Sequence, residues 1–115
     1  MRTLIAILCL ALLPVAATDL TGNWKLEGDV ADAHIDRMCT IKQAENKLSG
    51  TCKSKTNETA LTGDVNGKKV TWQYQADYQG QKVTVVFDGT LDSNTAITGT
   101  ISAEGASGKF TAKKQ

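Results

Sequence analysis

The chain has 115 residues, a formal net charge of +1, a single histidine and three cysteines. Arg2 accounts for the excess charge, so residues 18–115 carry equal numbers of acidic and basic side chains, and the lysines among them are scattered. That balance excludes an electrostatic footprint for nucleic acid and a polybasic surface for anionic membranes.

The opening MRTLIAILCLALLPVAA joins one Arg to an apolar run from Leu4 to Leu13 and ends on Val15-Ala16-Ala17, the small-residue pattern that a signal peptidase reads. Residues 1–17 are therefore expected to be a signal peptide, with Thr18 as the new N-terminus. The run is too short to span a bilayer. Cys9 follows Ala6-Ile7-Leu8 rather than a small residue, which excludes a lipoprotein box. The expected product is an exported, periplasmic or extracellular protein of residues 18–115, a single small domain with no membrane span and one pair of cysteines.

From residue 20 onward the apolar pattern alternates with the period of a strand, and no helical period occurs. Eight strands are predicted near 20–28, 35–44, 47–53, 60–65, 68–77, 81–91, 96–102 and 108–113. Asn66-Gly67 and Gln79-Gly80 read as tight turns, and DSNTA and AEGASG as slightly longer connections. Eight short consecutive antiparallel strands fit an all-β, up-and-down (meander) barrel. A two-sheet sandwich is the alternative, disfavoured because no long crossover connection is present.

Each turn implies a register. A turn at Asn66-Gly67 pairs Val65 with Lys68, Gly63 with Val70 and Leu61 with Trp72. Gln79-Gly80 pairs Ala76 with Val83, Tyr74 with Val85 and Trp72 with Phe87. An odd-length loop after Leu91 sets Leu91 opposite Ile97, Gly89 opposite Gly99 and Phe87 opposite Ile101, since the other register turns Thr98 and Thr100 inward. In CTIKQAENKLSGTC, any two- or four-residue turn centred on Glu45-Asn46 pairs Gln43 with Leu48, Ile41 with Gly50 and Cys39 with Cys52. With a two-residue turn, Cys39 and Cys52 form a non-hydrogen-bonded pair on the face of Ile35, Ile41 and Leu48, which suits a disulfide. Export favours that bond. A metal clip would need two further ligands, and a redox pair would have Cys-x-x-Cys spacing.

Gly22-x-Trp24 on the first strand resembles the lipocalin signature. The resemblance implies a Trp that closes one barrel end with a basic residue of the last strand, here Lys109 or Lys113, packed across it. LTGNW and LSGTC also resemble avidin strands, but Leu26 and Cys52 stand where that family places polar ligand contacts, so biotin binding does not carry over. LTGNWKLEG, CTIKQ and KLSGTC, in that order, are similar to the small periplasmic metalloprotease inhibitors of Gram-negative bacteria, disulfide-linked barrels that insert an N-terminal trunk into their protease. Here only Thr18-Asp19 precede the first strand. Residues 61–114 resemble a family of bacterial exported domains built on Gly-x-Val, Val-x-Phe and Gly-Thr repeats, which implies export and fold but no activity.

Asp29, Asp32, His34 and Asp36 gather in DVADAHID, expected to be a loop at a barrel mouth and a set of possible divalent-ion ligands. The reading is of no metal site there, because exported loops are commonly acidic. No nucleophile is placed to use His34, so no catalytic site and no cofactor are expected. Asn57-Glu58-Thr59 is a glycosylation sequon that would matter only in a eukaryotic host. The inward positions mix Gly50, Gly63, Ala76, Gly89, Gly99 and Ala112 with larger side chains. Two readings stand: glycines that let a packed barrel coil, or a cavity lined by Trp72, Tyr74 and Phe87 for a small apolar or aromatic ligand. The expected function is a non-enzymatic binding module for such a ligand; the alternative is a protein-binding barrel such as a protease inhibitor.

Overall fold

The computed structural model describes residues 19–115; the expected signal peptide lies outside them. Alternation of apolar and polar residues gives eight strands: β1 (Gly22–Val30), β2 (Ala33–Ala44), β3 (Lys47–Lys53), β4 (Glu58–Asn66), β5 (Lys69–Tyr78), β6 (Gln81–Ser93), β7 (Ala96–Ala103) and β8 (Ala106–Lys114). Each pairs antiparallel with the next, and β8 returns to β1 from Trp24↔Lys114 to Val30↔Gly108, closing the barrel in an up-and-down order. Closure removes both sheet edges, so the inward face forms one continuous core. The buried apolar residues fall on alternate positions of every strand, as in Trp24, Leu26 and Val30 of β1.

Three hairpins adopt the predicted register. Ala44↔Lys47 leaves Glu45-Asn46 as the turn, and Cys39 faces Cys52 with sulfurs at a bonding distance of 2.04 Å. Tyr78↔Gln81 leaves Gln79-Gly80, whose φ values of 52° and 81° are both positive, as a type I′ turn demands. Leu91 faces Ile97 and Gly89 faces Gly99; the odd loop is a bulge between Leu91 and Ser93 followed by a short turn.

The β4–β5 hairpin differs. The closing pair is Asn66↔Lys69, so the turn is Gly67-Lys68 rather than Asn66-Gly67, and Gly67 supplies the positive φ of 62°. Val65 then faces Val70, Gly63 faces Trp72 and Leu61 faces Tyr74. A slip of two residues keeps every side chain on its face, so inward–outward alternation does not discriminate the two registers. Packing does: Trp72 faces Gly63, where a Cβ would come within 2.7 Å of the Trp72 Cα and Cβ and would clash with the Thr71 carbonyl oxygen. Between β1 and β2 the expected loop of residues 29–36 shrinks to Ala31-Asp32, with Asp29 on β1 and His34 and Asp36 on β2.

Candidate functional site

One end of the barrel is plugged. Trp24 is 1% exposed and its Nε1 donates to the Leu20 carbonyl at 2.9 Å, so the segment before β1 folds over the end it closes. Leu20 is itself fully buried. The basic residue at this end is Lys114, whose Cε lies against Gly22 and whose Nζ donates to the Asp19 carbonyl at 3.3 Å. Lys109 and Lys113 do not take that part. They alternate with the inward Phe110 and Ala112, point outward, and sit opposite Asp29 and Lys25.

Midway along the axis an aromatic cluster fills the lumen. Trp72 stacks on Phe87 with centroids 5.4 Å apart, and Phe110 meets both edge-on at 5.5 and 5.1 Å. Glycines make the space for it: a Cβ on Gly89 would come within 3.0 Å of Phe110 Cζ and 2.6 Å of Ile97 Cγ2. The lumen is therefore filled at this level, with no room for a ligand beside Trp72 or Phe87.

Beyond the aromatic cluster the barrel opens. A cavity of about 1010 Å³ occupies the end opposite Trp24, walled by Val30, Ile35, Ala76, Val83, Val85, Ala103 and Ala106. Small or β-branched residues at these inward positions leave the lumen unfilled. The wall is also low on one side, because β3 pairs with β2 only from Met38↔Lys53 onward, and Ser54, Lys55 and Thr56 of the β3–β4 connection line the gap beside Ala33–Arg37. Across the mouth, the Tyr78 hydroxyl donates to Asp32 at 3.1 Å.

Of the three predicted ligand contacts, Tyr74 lines this cavity, whereas Trp72 and Phe87 lie in the cluster beneath it. Tyr74 packs on Phe87 at 5.3 Å and is 3% exposed. A residue without an assigned role in the sequence joins it: Arg37, on the inward face of β2 between Ile35 and Cys39, holds its guanidinium carbon 5.0 Å from the Tyr74 ring centroid. Alternation alone carried the signal, since Ile35, Arg37, Cys39 and Ile41 share one face. Arg37 Nη1 and the Tyr74 hydroxyl are both buried without a hydrogen-bond partner among the described residues. Burial pushes the Tyr74 hydroxyl above its ordinary pKa, with the positive charge of Arg37 opposing.

The acidic stretch is dispersed rather than gathered. Asp29 pairs with His34 Nδ1 at 2.9 Å, Asp36 with Lys25 at 2.8 Å, and Asp32 with Tyr78. The bond to Asp29 raises the His34 pKa above its ordinary value. Among the described residues no three His, Cys, Asp or Glu side chains converge as metal ligands would. Asn57 is exposed in the β3–β4 connection, where its Oδ1 accepts from Ser54 Oγ at 3.3 Å.

No family model matches the chain, and no curated protein matches it. The similarity found is to solved structures of redesigned β-barrels. One superposes with a TM-score of 0.62 at 15% identity, covering 84% of this chain and 91% of the other. A second, the redesigned barrel mFAP0 bound to DFHBI, has a TM-score of 0.58 at 18% identity, with 83% and 98% covered. At these identities the likeness is one of fold, the closed eight-stranded antiparallel barrel, and the resemblances to lipocalins, avidins and protease inhibitors gain no family match.

Proposed function

We propose that the chain is an exported, non-enzymatic binding module that takes a small apolar or aromatic molecule into the open end of its barrel. The observation that carries this reading is the cavity of about 1010 Å³ above the aromatic cluster. Volume separates ligand binding from recognition through loops, because small-molecule sites are clefts of ~300–1,000 Å³ lined mainly by apolar side chains with a few polar groups. The plugged end at Trp24 and the open end opposite it suit a cup. Compatibility of the fold with an internal ligand is supported by mFAP0, which is bound to DFHBI.

The test is titration of the protein with phenylnaphthylamine, a neutral aromatic dye whose emission rises on leaving water. A saturating rise at one dye per chain is the expected result. No rise at any protein concentration would overturn ligand binding in favour of recognition through the barrel's outer surface.

A further inference from the structure

The floor of the cavity is not chemically neutral. Its apolar walls end on two polar groups, Arg37 Nη1 and the Tyr74 hydroxyl, each buried without a hydrogen-bond partner among the described residues, with the guanidinium over the Tyr74 ring. Charges nearby are accounted for differently. Asp36 is held by Lys25, Asp77 by Lys82 at 3.3 Å, and Asp32 by Tyr78. Arg37 forms no ion pair with any described residue. Arg37 is half-buried as a residue, but a buried donor such as its Nη1 costs stability unless something satisfies it. Its contact with the Tyr74 ring face offsets part of that cost without meeting the N–H donors.

We propose that the cavity takes an amphipathic monoanion: an apolar or aromatic body bearing one carboxylate or comparable anionic group, which meets Arg37 and Tyr74 while the body lies along the walls towards the mouth. This deepens the ligand-binding reading and rests on it. One cation on the floor matches one negative charge. A guanidinium presents a planar fork that a carboxylate accepts through two parallel hydrogen bonds. Tyr74 adds a third donor, and its raised pKa keeps the hydroxyl protonated and able to donate. The inward walls are apolar at Val30, Ile35, Ala76, Val83, Val85 and Ala103, and of the carboxylates that also line the cavity Asp36 is paired with Lys25, Asp77 with Lys82, and Glu104 stands exposed in the β7–β8 turn. A neutral ligand of the same shape would leave Arg37 unsatisfied, which is a discrimination a polar site enforces strongly.

Two dyes that differ only in charge test the inference. Anilinonaphthalene sulfonate is phenylnaphthylamine with one sulfonate added. Titrated against the wild-type protein, the anion should bind about tenfold or more tightly than its neutral parent. Arg37→Met should abolish that preference by weakening the anion alone. Tyr74→Phe, which removes a single oxygen and leaves the ring on Phe87, should weaken the anion several-fold with the neutral dye unchanged, and it serves if Arg37→Met does not fold. Naphthoate should displace the bound anion, and naphthalenemethanol should not. Equal binding of both dyes by the wild type would overturn the anion inference while leaving the cavity reading intact. Binding of neither would overturn the cavity reading itself.

Discussion

Cys39 and Cys52 face each other across β2 and β3 with Cα atoms 4.0 Å apart, and each side chain is at most 1% exposed. The link closes a loop of 13 residues' separation around the Glu45-Asn46 turn. Its stabilisation comes mainly from restricting the unfolded chain, about 3 kcal/mol for a loop of this size in the chain-entropy model. Replacing both cysteines by alanine should lower stability by about 2–4 kcal/mol while β2 and β3 keep their pairing. Denaturant melts of the double variant give the cost. Titration of thiols in the exported protein gives the bond, and two free thiols would refute it.

Trp24 anchors the closed end through its burial and its bond to the Leu20 carbonyl. Trp24→Ala removes the largest plug and frees the segment folded over it, so about 3–5 kcal/mol should be lost. Tyr78, 44% exposed at the opposite end, makes one solvent-facing hydrogen bond to Asp32. Tyr78→Ala should cost under about 1 kcal/mol. The two denaturant midpoints compared side by side measure the difference; similar small losses would mean that Trp24 is not the plug.

The eight strands and the facing cysteines were legible in the sequence because strand alternation and turn chemistry are local signals. What is not legible is mainly position along the strands. Parity fixes which face a side chain takes and not how far along the partner strand it sits, so the β4–β5 register slipped by two without violating the pattern. Lys114 is missed for a separate reason: a resemblance, not parity, supplies Lys109 or Lys113 as the basic residue, whereas parity puts Lys114 with Phe110 and Ala112. Arg37 is the converse case. Its inward parity was readable, but a charged residue among core positions is judged exposed unless the wall beside it is known to be low, and that depends on where β3 stops. Likewise Trp72, Tyr74 and Phe87 share a face, and only the level of the aromatic cluster along the axis assigns Tyr74 to the cavity and the others to the packing.

Tyr74 makes stability depend on alkaline pH. Burial raises its pKa above the ordinary 10.0, so the folded state holds the proton more tightly than the unfolded chain does. The stability that follows is complete below pH 10.0 and drains as pH rises from there through the folded-state pKa. Tyr78 shifts in the same direction through its bond to Asp32, but it stands in solvent. Tyr74→Phe should therefore flatten the alkaline fall in denaturant midpoint, which denaturant melts of wild type and variant at a series of alkaline pH values would measure. Parallel falls in wild type and variant would place Tyr74 in water.

The aromatic level and the open end of the barrel predict opposite outcomes for the same kind of substitution. Gly89 is buried beside the aromatic cluster, where even a Cβ would meet Ile97 Cγ2 at 2.6 Å and Phe110 Cζ at 3.0 Å. Gly89→Leu must displace the aromatic cluster and should cost about 1–3 kcal/mol or more. Ala76 lines the cavity and faces Val83 across the β5–β6 hairpin. Ala76→Leu extends into open space, where added apolar contacts leave stability unchanged or raise it by up to about 1 kcal/mol. The same side chain takes volume from the ligand, so phenylnaphthylamine should bind the Ala76 variant at least several-fold more weakly. Thermal melts of both variants with dye titrations on the same samples separate the effects. A large loss of stability in Ala76→Leu would show that this end is as tightly packed as the other, and the ligand cavity would have to be given up.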